Sequence, residues 1–315
     1  MIVKRTSVFM AVVLLIGVVA HAQLMTETLQ PYPLPAEIKR SLGQIAAQND
    51  LLILGEFHGT QEVPALAASL LTPLTNLGYN VLALEVPSDQ QAPLTAWATG
   101  KTTKVPSFFT RPGSDGRANI QILTLIRTAL SPPFRWHLIC FDETEAAQER
   151  QFEELKRQAK QGPREKLLST SQAALADDII ALSLQRDSVM ASNLGKQRQP
   201  LASPPKCLAI CGNLHARTAN HSTTDSPISA LWPSFAAVVQ RDHPVWKVSS
   251  VNIRFHSGGF FNGGKVNSIK ESPLDKAVLR PVLDGDWKFE LDLPHATPAT
   301  FLAPPADDRP LPTKH

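Results

Sequence analysis

The chain of 315 residues is 43% hydrophobic and 19% charged, which is typical of a folded globular protein and argues against a disordered one. Its formal net charge is +3, and Lys4 and Arg5 belong to a segment that we predict is removed. A nearly neutral chain without clustered basic residues offers no electrostatic surface for nucleic acid. We therefore expect no nucleic-acid partner.

Residues 1–22 predict a secretory signal peptide. Lys4 and Arg5 precede the apolar run VFMAVVLLIGVVA, and AHA at 20–22 supplies the small residues of a cleavage site. The run is shorter than the ~20 apolar residues of a spanning helix, which favours cleavage near Ala22 over a retained membrane anchor. We expect an exported protein, periplasmic or secreted, with no stable membrane span after cleavage.

Four continuous apolar runs lack the polar alternation of half-exposed strands and so predict buried parallel strands, at 51–56, 80–86, 136–141 and 207–212. Between them, apolar residues at helical spacing predict helices over 62–78, 143–161 and 175–195. A further strand is predicted at 245–255. The alternation predicts an α/β fold, a single domain over 23–295 with a mostly parallel central sheet flanked by helices.

Three stretches fall outside this alternation. An insertion after the second strand, roughly 88–133, contains KVPSFFTRPGSDGR and predicts helices and loops that form a lid or a substrate-binding wall. SGGFFNGG at 257–264 predicts a turn or flexible loop, because no Lys-Ser/Thr follows to make a phosphate loop. The Pro-rich residues 296–315 predict a flexible tail.

Export permits disulfide bonds, but the three cysteines of the chain cannot all pair. Cys207 and Cys211 lie four residues apart on one predicted strand, about 13 Å at ~3.3 Å per residue, too far for a disulfide. Cys140 could meet one of them from a neighbouring strand. Buried free thiols are the favoured interpretation.

Residues capable of chemistry follow each of the four predicted strands, namely Glu56 and His58, then Glu85, then Asp142 and Glu143, and then His215. Ligands of open parallel sheets bind beyond the carboxyl ends of the strands, so we expect a shared site there. Several members also have structural explanations. Glu62 lies in a first helical turn, where the dipole favours a carboxylate, and Asp142 with Glu145 matches a helix-capping pattern.

Two chemistries fit this set. In the first, His58, His215, Glu56 and Glu85 bind a divalent metal (Zn, Mn or Fe) that lowers the pKa of a bound water. In the second there is no metal, a Glu-oriented His58 activates water as general base, and Arg186 stabilises the oxyanion. Neither a G-x-S-x-G nor an H-E-x-x-H motif is present.

The motifs ILGEFHGTQE (53–62), LALEVP (82–87), RDSVMASNL (186–194) and CGNLHART (211–218) resemble the superfamily of erythromycin esterases, ChaN haem-uptake proteins, TraB and TIKI. The similarity covers about 51 to 218. Carried over by motif, the resemblance implies that the site residues are Glu56, His58, Glu62, Glu85, Arg186 and His215.

The members of this superfamily differ in function, so the resemblance leaves alternatives open. Erythromycin esterases, which share HGT followed by Glu62 and the Arg-x-x-x-Met-Ala-x-Asn helix, are hydrolases without an obligate metal. The two Gly-x-x-His motifs, 55–58 and 212–215, are more similar to the TIKI type, a metal-dependent protease. ChaN-like proteins bind haem, and here Tyr32 and Tyr79 lie outside the strand-end motifs, while ligation by histidine stays open.

The leading hypothesis is an exported hydrolase that cleaves an ester, lactone or amide of a small-molecule or peptide substrate. His58 or Glu56 would activate water, Glu85 would orient, Arg186 would hold substrate charge, and His215 would complete the metal or hydrogen-bond set. The alternative is a ChaN-like haem- or iron-binding protein without turnover. A third reading is a recognition surface that has lost its chemistry.

Overall fold

The computed structural model describes residues 29–111, 116–161, 170–201, 205–221 and 229–302. The predicted signal peptide lies outside these ranges. Across the described ranges, no helix is long and apolar enough to cross a membrane.

The described residues form nine strands, β1 Leu51–Glu56, β2 Tyr79–Pro87, β3 His137–Asp142, β4 Lys206–Gly212, β5 Val248–Phe255, β6 Ser257–Asn262, β7 Lys265–Lys270, β8 Val278–Pro281 and β9 Phe289–Leu293. Seven of them make one sheet in the order β3-β2-β4-β1-β5-β9-β8, and β6 pairs with β7 separately. All neighbours in the large sheet are parallel except β8 and β9. The predicted α/β fold with a mostly parallel central sheet is confirmed.

The helices of the described part are α1 Ala36–Ala47, α2 Glu62–Asn76, α3 Gln91–Ala98, α4 Ser107–Thr110, α5 Ile120–Leu130, α6 Glu145–Gln161, α7 Thr170–Arg198 and α8 Phe235–Asp242. Side chains of α1 to α5 belong to one hydrophobic cluster, and side chains of α7 and α8 belong to a second one. Strand β1 contributes Leu52 and Leu54 to the first cluster and Leu51 and Ile53 to the second. Helices therefore cover both faces, which is why β1 is apolar over residues 51–54.

The insertion after β2 contributes to the core of the fold. It contains α3, α4 and α5, and its side chains Trp97, Phe109 and Ile122 are buried in the first cluster. The predicted helices and loops are present, and they pack against the sheet as part of the hydrophobic core.

The stretch 257–264, predicted as a turn or flexible loop, forms strand β6 and the turn of a β-hairpin. Gly263 and Gly264 have φ of 62° and 76°, the left-handed conformation that a tight hairpin turn needs. The glycines correctly marked the turn, but the strand on its amino side was missed. Its Phe261 is buried against the rest of the fold, and a contact of that kind cannot be read from local sequence.

Residues 296–302, which we call the C-terminal strap, are bound to the fold rather than being a free tail. The amide of Gly259 donates to Ala296 O, and the amide of Ile120 donates to Thr300 O. Ala296 and Ala299 are buried. The Pro-rich composition set the predicted tail boundary too early, and residues 303–315 lie outside the described ranges.

The predicted free thiols are confirmed, since Cys140, Cys207 and Cys211 are all buried and unpaired. Burial raises the pKa of each of the three thiols, that of Cys207 to about 12. All three are therefore neutral and unreactive at physiological pH.

Gly55→Ala should destabilise the fold, because a Cβ at position 55 would lie 2.8 Å from the Cβ of Ala216 and 3.2 Å from the Cα of Asn213. Gly55 pairs with both β4 and β5, so the backbone must shift to accept the methyl group. We expect the free energy of unfolding in urea to fall by about 1–3 kcal/mol.

The matched control is Gly43→Ala in α1, where nothing lies within 4 Å of the added Cβ. This variant should gain up to about 1 kcal/mol from helix propensity. Wild-type stability in Gly55→Ala would contradict the tight packing at the end of β1.

Candidate functional site

Eight charged or titratable side chains meet at the carboxyl edge of the sheet. The adjacent parallel strands β3, β2, β4 and β1 end there, and α7 and the insertion approach the same edge. We call this set the polar cluster: Glu56, His58, Glu85, Arg117, Asp142, Arg186, Asp187 and His215. Five of the six residues implied by the family resemblance are in it, and the sixth, Glu62, is not.

Glu85 lies at the centre of the polar cluster. Its Oε2 accepts from the amide of Gly212 at 2.7 Å, and its Oε1 accepts from Arg186 at 2.5 Å. The Nε2 atoms of His58 and His215 lie 3.5 and 3.8 Å from its two oxygens. Burial raises the pKa of Glu85, but the charges of Arg186 and His58 outweigh this and hold the pKa well below its usual value. Glu85 is therefore ionised although buried.

Asp142 orients Arg186 by a two-point contact. Its Oδ1 accepts from Nε of Arg186 at 2.8 Å, and its Oδ2 accepts from the terminal nitrogen at 2.7 Å. Arg117 also donates to Oδ2. Burial raises the pKa of Asp142, while Arg186 and Arg117 lower it to a net value below the usual one. The carboxylate therefore belongs to the cluster, and the amide of Glu145 instead donates to Asp89.

His58 pairs with two carboxylates. Its Nδ1 lies 3.0 Å from Oε1 of Glu56, and its Nε2 faces Glu85. Burial lowers the pKa of His58, but the charges and hydrogen bonds of Glu85 and Glu56 reverse this and raise the pKa to about 10. The imidazole is therefore a cation at neutral pH.

His215 contacts one carboxylate and the guanidinium of Arg186. Its Nδ1 lies 2.6 Å from Oδ1 of Asp187, and its Nε2 lies 3.2 Å from a terminal nitrogen of Arg186. Because a guanidinium can only donate, Nε2 accepts and the ring proton is on Nδ1, where it donates to Asp187. The two imidazoles of the polar cluster therefore have different partners, two carboxylates for His58 and one carboxylate with a guanidinium for His215.

Glu62 is placed outside the polar cluster. Both of its carboxylate oxygens accept from the amide of Thr297 at 2.9 Å. With Tyr32 and Gln61 it lines a separate cavity of about 340 Å³. None of its described contacts is with a cluster residue.

The contacts of the polar cluster do not fit a resident metal ion. Among the described residues, no group of three or more His, Cys, Asp or Glu is arranged to hold a metal ion. Both nitrogens of His58 already face carboxylates, and the cationic Arg186 contacts both Glu85 and His215. The hydroxyl of Tyr79 is buried at 3.1 Å from Ala46 O and Asn49 O, so it is not a haem ligand.

Two members of the polar cluster were not predicted. Asp187 follows Arg186 directly within the RDSVMASNL motif, so its position was the available signal. Arg117 lies in the insertion and also stands over the ring of Phe108, 6.0 Å from its centroid. Nothing in the local pattern around Arg117 indicates the site, because only the tertiary packing of the insertion brings it there.

Solved structures with the same fold include a mutant of the erythromycin esterase EreC in its open conformation, with a TM-score of 0.59 at 11% identity, covering 89% of this chain and 98% of that one. A succinoglycan biosynthesis protein matches with a TM-score of 0.55 at 11% identity, covering 88% and 95%. A Bacillus cereus protein matches with 0.54 at 13% identity, covering 90% and 98%. No protein-family model and no curated protein sequence matches the chain. The predicted resemblance is confirmed for the fold.

His58 should remain protonated at pH 8, because the two carboxylates outweigh its burial and raise its pKa to about 10. An NMR titration of the imidazole resonances, assigned with His58→Gln, measures this directly. The exposed His137, at the amino end of β3, gives a second assignment control through His137→Gln. Titration of His58 near its ordinary pKa would contradict the contacts described.

The same shift predicts a pH-dependent stability. A pKa raised on folding means that the folded state holds the proton more tightly than the unfolded state does. The contribution of His58 to the free energy of unfolding is therefore complete below about pH 6.5 and is lost as the pH rises through about 10. The free energy of unfolding should fall more steeply between these values in the wild type than in His58→Gln. Parallel curves for the two proteins would show that His58 carries no stabilising charge.

Proposed function

We propose that the protein is a hydrolase that cleaves an ester, lactone or amide by activating water at the polar cluster. The observation that carries this proposal is a pair of histidines with different partners that approach the two oxygens of Glu85, with Nε2 at 3.8 Å for His215 and 3.5 Å for His58. Hydrolysis needs a proton acceptor for the water and a proton donor for the leaving group. The two imidazoles supply one of each.

His215 is the proposed general base. Asp187 fixes the tautomer with the proton on Nδ1, leaves Nε2 free of a proton, and stabilises the imidazolium that forms when Nε2 takes a proton from water. The hydroxide oxygen then bonds to the substrate carbonyl carbon, and the carbonyl π electrons move to oxygen.

His58 is the proposed general acid. The sequence-based hypothesis made His58 or Glu56 the acceptor, but a protonated imidazole has no lone pair to accept with. When the tetrahedral intermediate collapses, the bond from carbon to the leaving oxygen or nitrogen breaks and that atom takes the proton of His58. Transfer of a proton from His215 back to His58, both beside Glu85, restores the resting state.

The proposed oxyanion is stabilised by Arg186, whose side chain is 22% exposed while its partner Glu85 is 3% exposed. Asp142 holds the guanidinium at two points, so the group is oriented before substrate binds, as electrostatic catalysis requires. Arg117 adds a second positive charge on Asp142 and Glu85. Substrate would approach from the side where Arg186 and the two histidines are accessible.

The fold supports this chemistry as an analogy. One solved protein with this fold is named an erythromycin esterase, although a shared fold does not by itself establish a shared activity. In line with the predicted signal peptide, we propose that the enzyme acts outside the cytoplasm on a small-molecule or peptide substrate. The haem-binding alternative stays a prediction, which a visible spectrum during haem titration tests.

Asp187→Asn and His58→Gln should each lower kcat by roughly 10²–10⁴-fold, since the first removes the carboxylate that orients the proposed base and the second removes the proposed proton donor. The measurement is turnover of a panel of activated esters, lactones and peptide amides by the chain from residue 23. His137→Gln, at the opposite edge of the sheet, is the matched surface control and should keep wild-type turnover.

The pH profile separates the acid from the base. Because His58 must be protonated, kcat/KM should fall as the pH rises through about 10. This fall in kcat/KM at high pH should be missing from the residual activity of His58→Gln. Full activity of Asp187→Asn with an intact fold would rule out His215 as the base.

A further inference from the structure

The loop that carries His58 is bound along its length by the C-terminal strap. The amide of Ala299 donates to Gly59 O at 2.8 Å, and the amide of Gln61 donates to Thr297 O at 3.0 Å. Between these two bonds, Thr60 and Pro298 form an antiparallel bridge. The three residues that follow His58 therefore pair with the strap as a short ladder.

Glu62 anchors this ladder at its far end. Its two carboxylate oxygens both accept from the amide of Thr297 at 2.9 Å, a charge-assisted contact stronger than a neutral hydrogen bond. The side chain of Gln61 donates to Pro298 O at 2.9 Å. Glu62 begins α2, so the anchor stands on a rigid element of the core.

The other side of the loop is closed by packing. The amide of Phe261 donates to Gly59 O at 3.0 Å, and a Cβ on Gly116 would lie 2.7 Å from the Cα of Gly59. The strap also reaches the insertion, where Gln121 donates to the hydroxyl of Thr300 at 2.8 Å. The strap thus joins the segments that present His58 and Arg117.

We propose that Glu62 is a positioning residue of the hydrolytic site, which fixes the C-terminal strap and through it the loop that presents His58 to Glu85. The catalytic consequence rests on the proposed function. The structural part does not, because it concerns where His58 is held. Glu62 thereby has a role in the site without any contact with the polar cluster.

Two pairs of variants test this. Glu62→Leu removes the acceptor, while Glu62→Gln keeps an acceptor oxygen. Thr297→Pro removes the donor without altering Glu62, while Thr297→Ala keeps the backbone N–H. Urea unfolding shows whether Glu62→Leu folds. If it does not, Thr297→Pro still tests whether the strap positions His58.

In Glu62→Leu and Thr297→Pro, we expect amide hydrogen exchange at Ala299 to rise at least about tenfold, since the ladder opens locally. The pKa of His58, followed by NMR, should fall as the ring moves from its carboxylates. The value of kcat should drop about tenfold or more with KM nearly unchanged, because a loosened loop misplaces the proton donor. Thr297→Ala should stay close to the wild type in all three measurements, and Glu62→Gln, which keeps an acceptor oxygen without the charge, should lie between the wild type and Glu62→Leu.

Faster exchange with an unchanged His58 titration would overturn the proposal, because the strap would then open without moving His58. Unchanged exchange in both Glu62→Leu and Thr297→Pro would overturn it as well, and so would a Glu62→Gln variant that behaves like Glu62→Leu. If the wild type cleaves no member of the substrate panel, the proposed function fails. Exchange and titration still decide the positioning role in that case.

Discussion

The burial of the Glu85 carboxylate is the constraint on which the carboxyl edge of this fold depends. A buried charge is costly unless it is paired and hydrogen-bonded, and the side chain of Glu85 is only 3% exposed. Its partners come from four separate parts of the chain, the amide of Gly212 after β4, Arg186 on α7, Arg117 in the insertion and His58 after β1. The edge is stable only when all four parts are in place.

A buried network of ion pairs can serve stability alone, so a catalytic role has to be argued from how the members of the network are arranged. The acids of the polar cluster are almost fully buried, whereas the side chains of His58, His215 and Arg186 are 15%, 14% and 22% exposed. The groups that can move protons or hold an oxyanion therefore face outward, with their carboxylates behind them. This arrangement supports the proposed chemistry.

Much of this edge could be predicted from the sequence, because a buried parallel strand that ends in a charged residue is a strong local signal. Glu85 and His215 were found in that way. Arg117 could not be, since only the packing of the insertion carries it to Asp142. Glu62 was implied by a motif, but its partner is the amide of Thr297, 235 residues away. Local sequence patterns identify the end of a strand well, but they do not show which distant segments pack onto that end.

Gly59 explains why HGT follows the first strand. Its φ is 76°, and a Cβ there would lie 2.0 Å from Phe261 O, so no other residue fits without displacing the β6–β7 hairpin. Its carbonyl accepts from both Phe261 and Ala299, which joins the hairpin and the strap at one atom. In the proposed mechanism the histidine of this motif supplies the chemistry, and the glycine makes room for the three chain segments that keep the histidine in place.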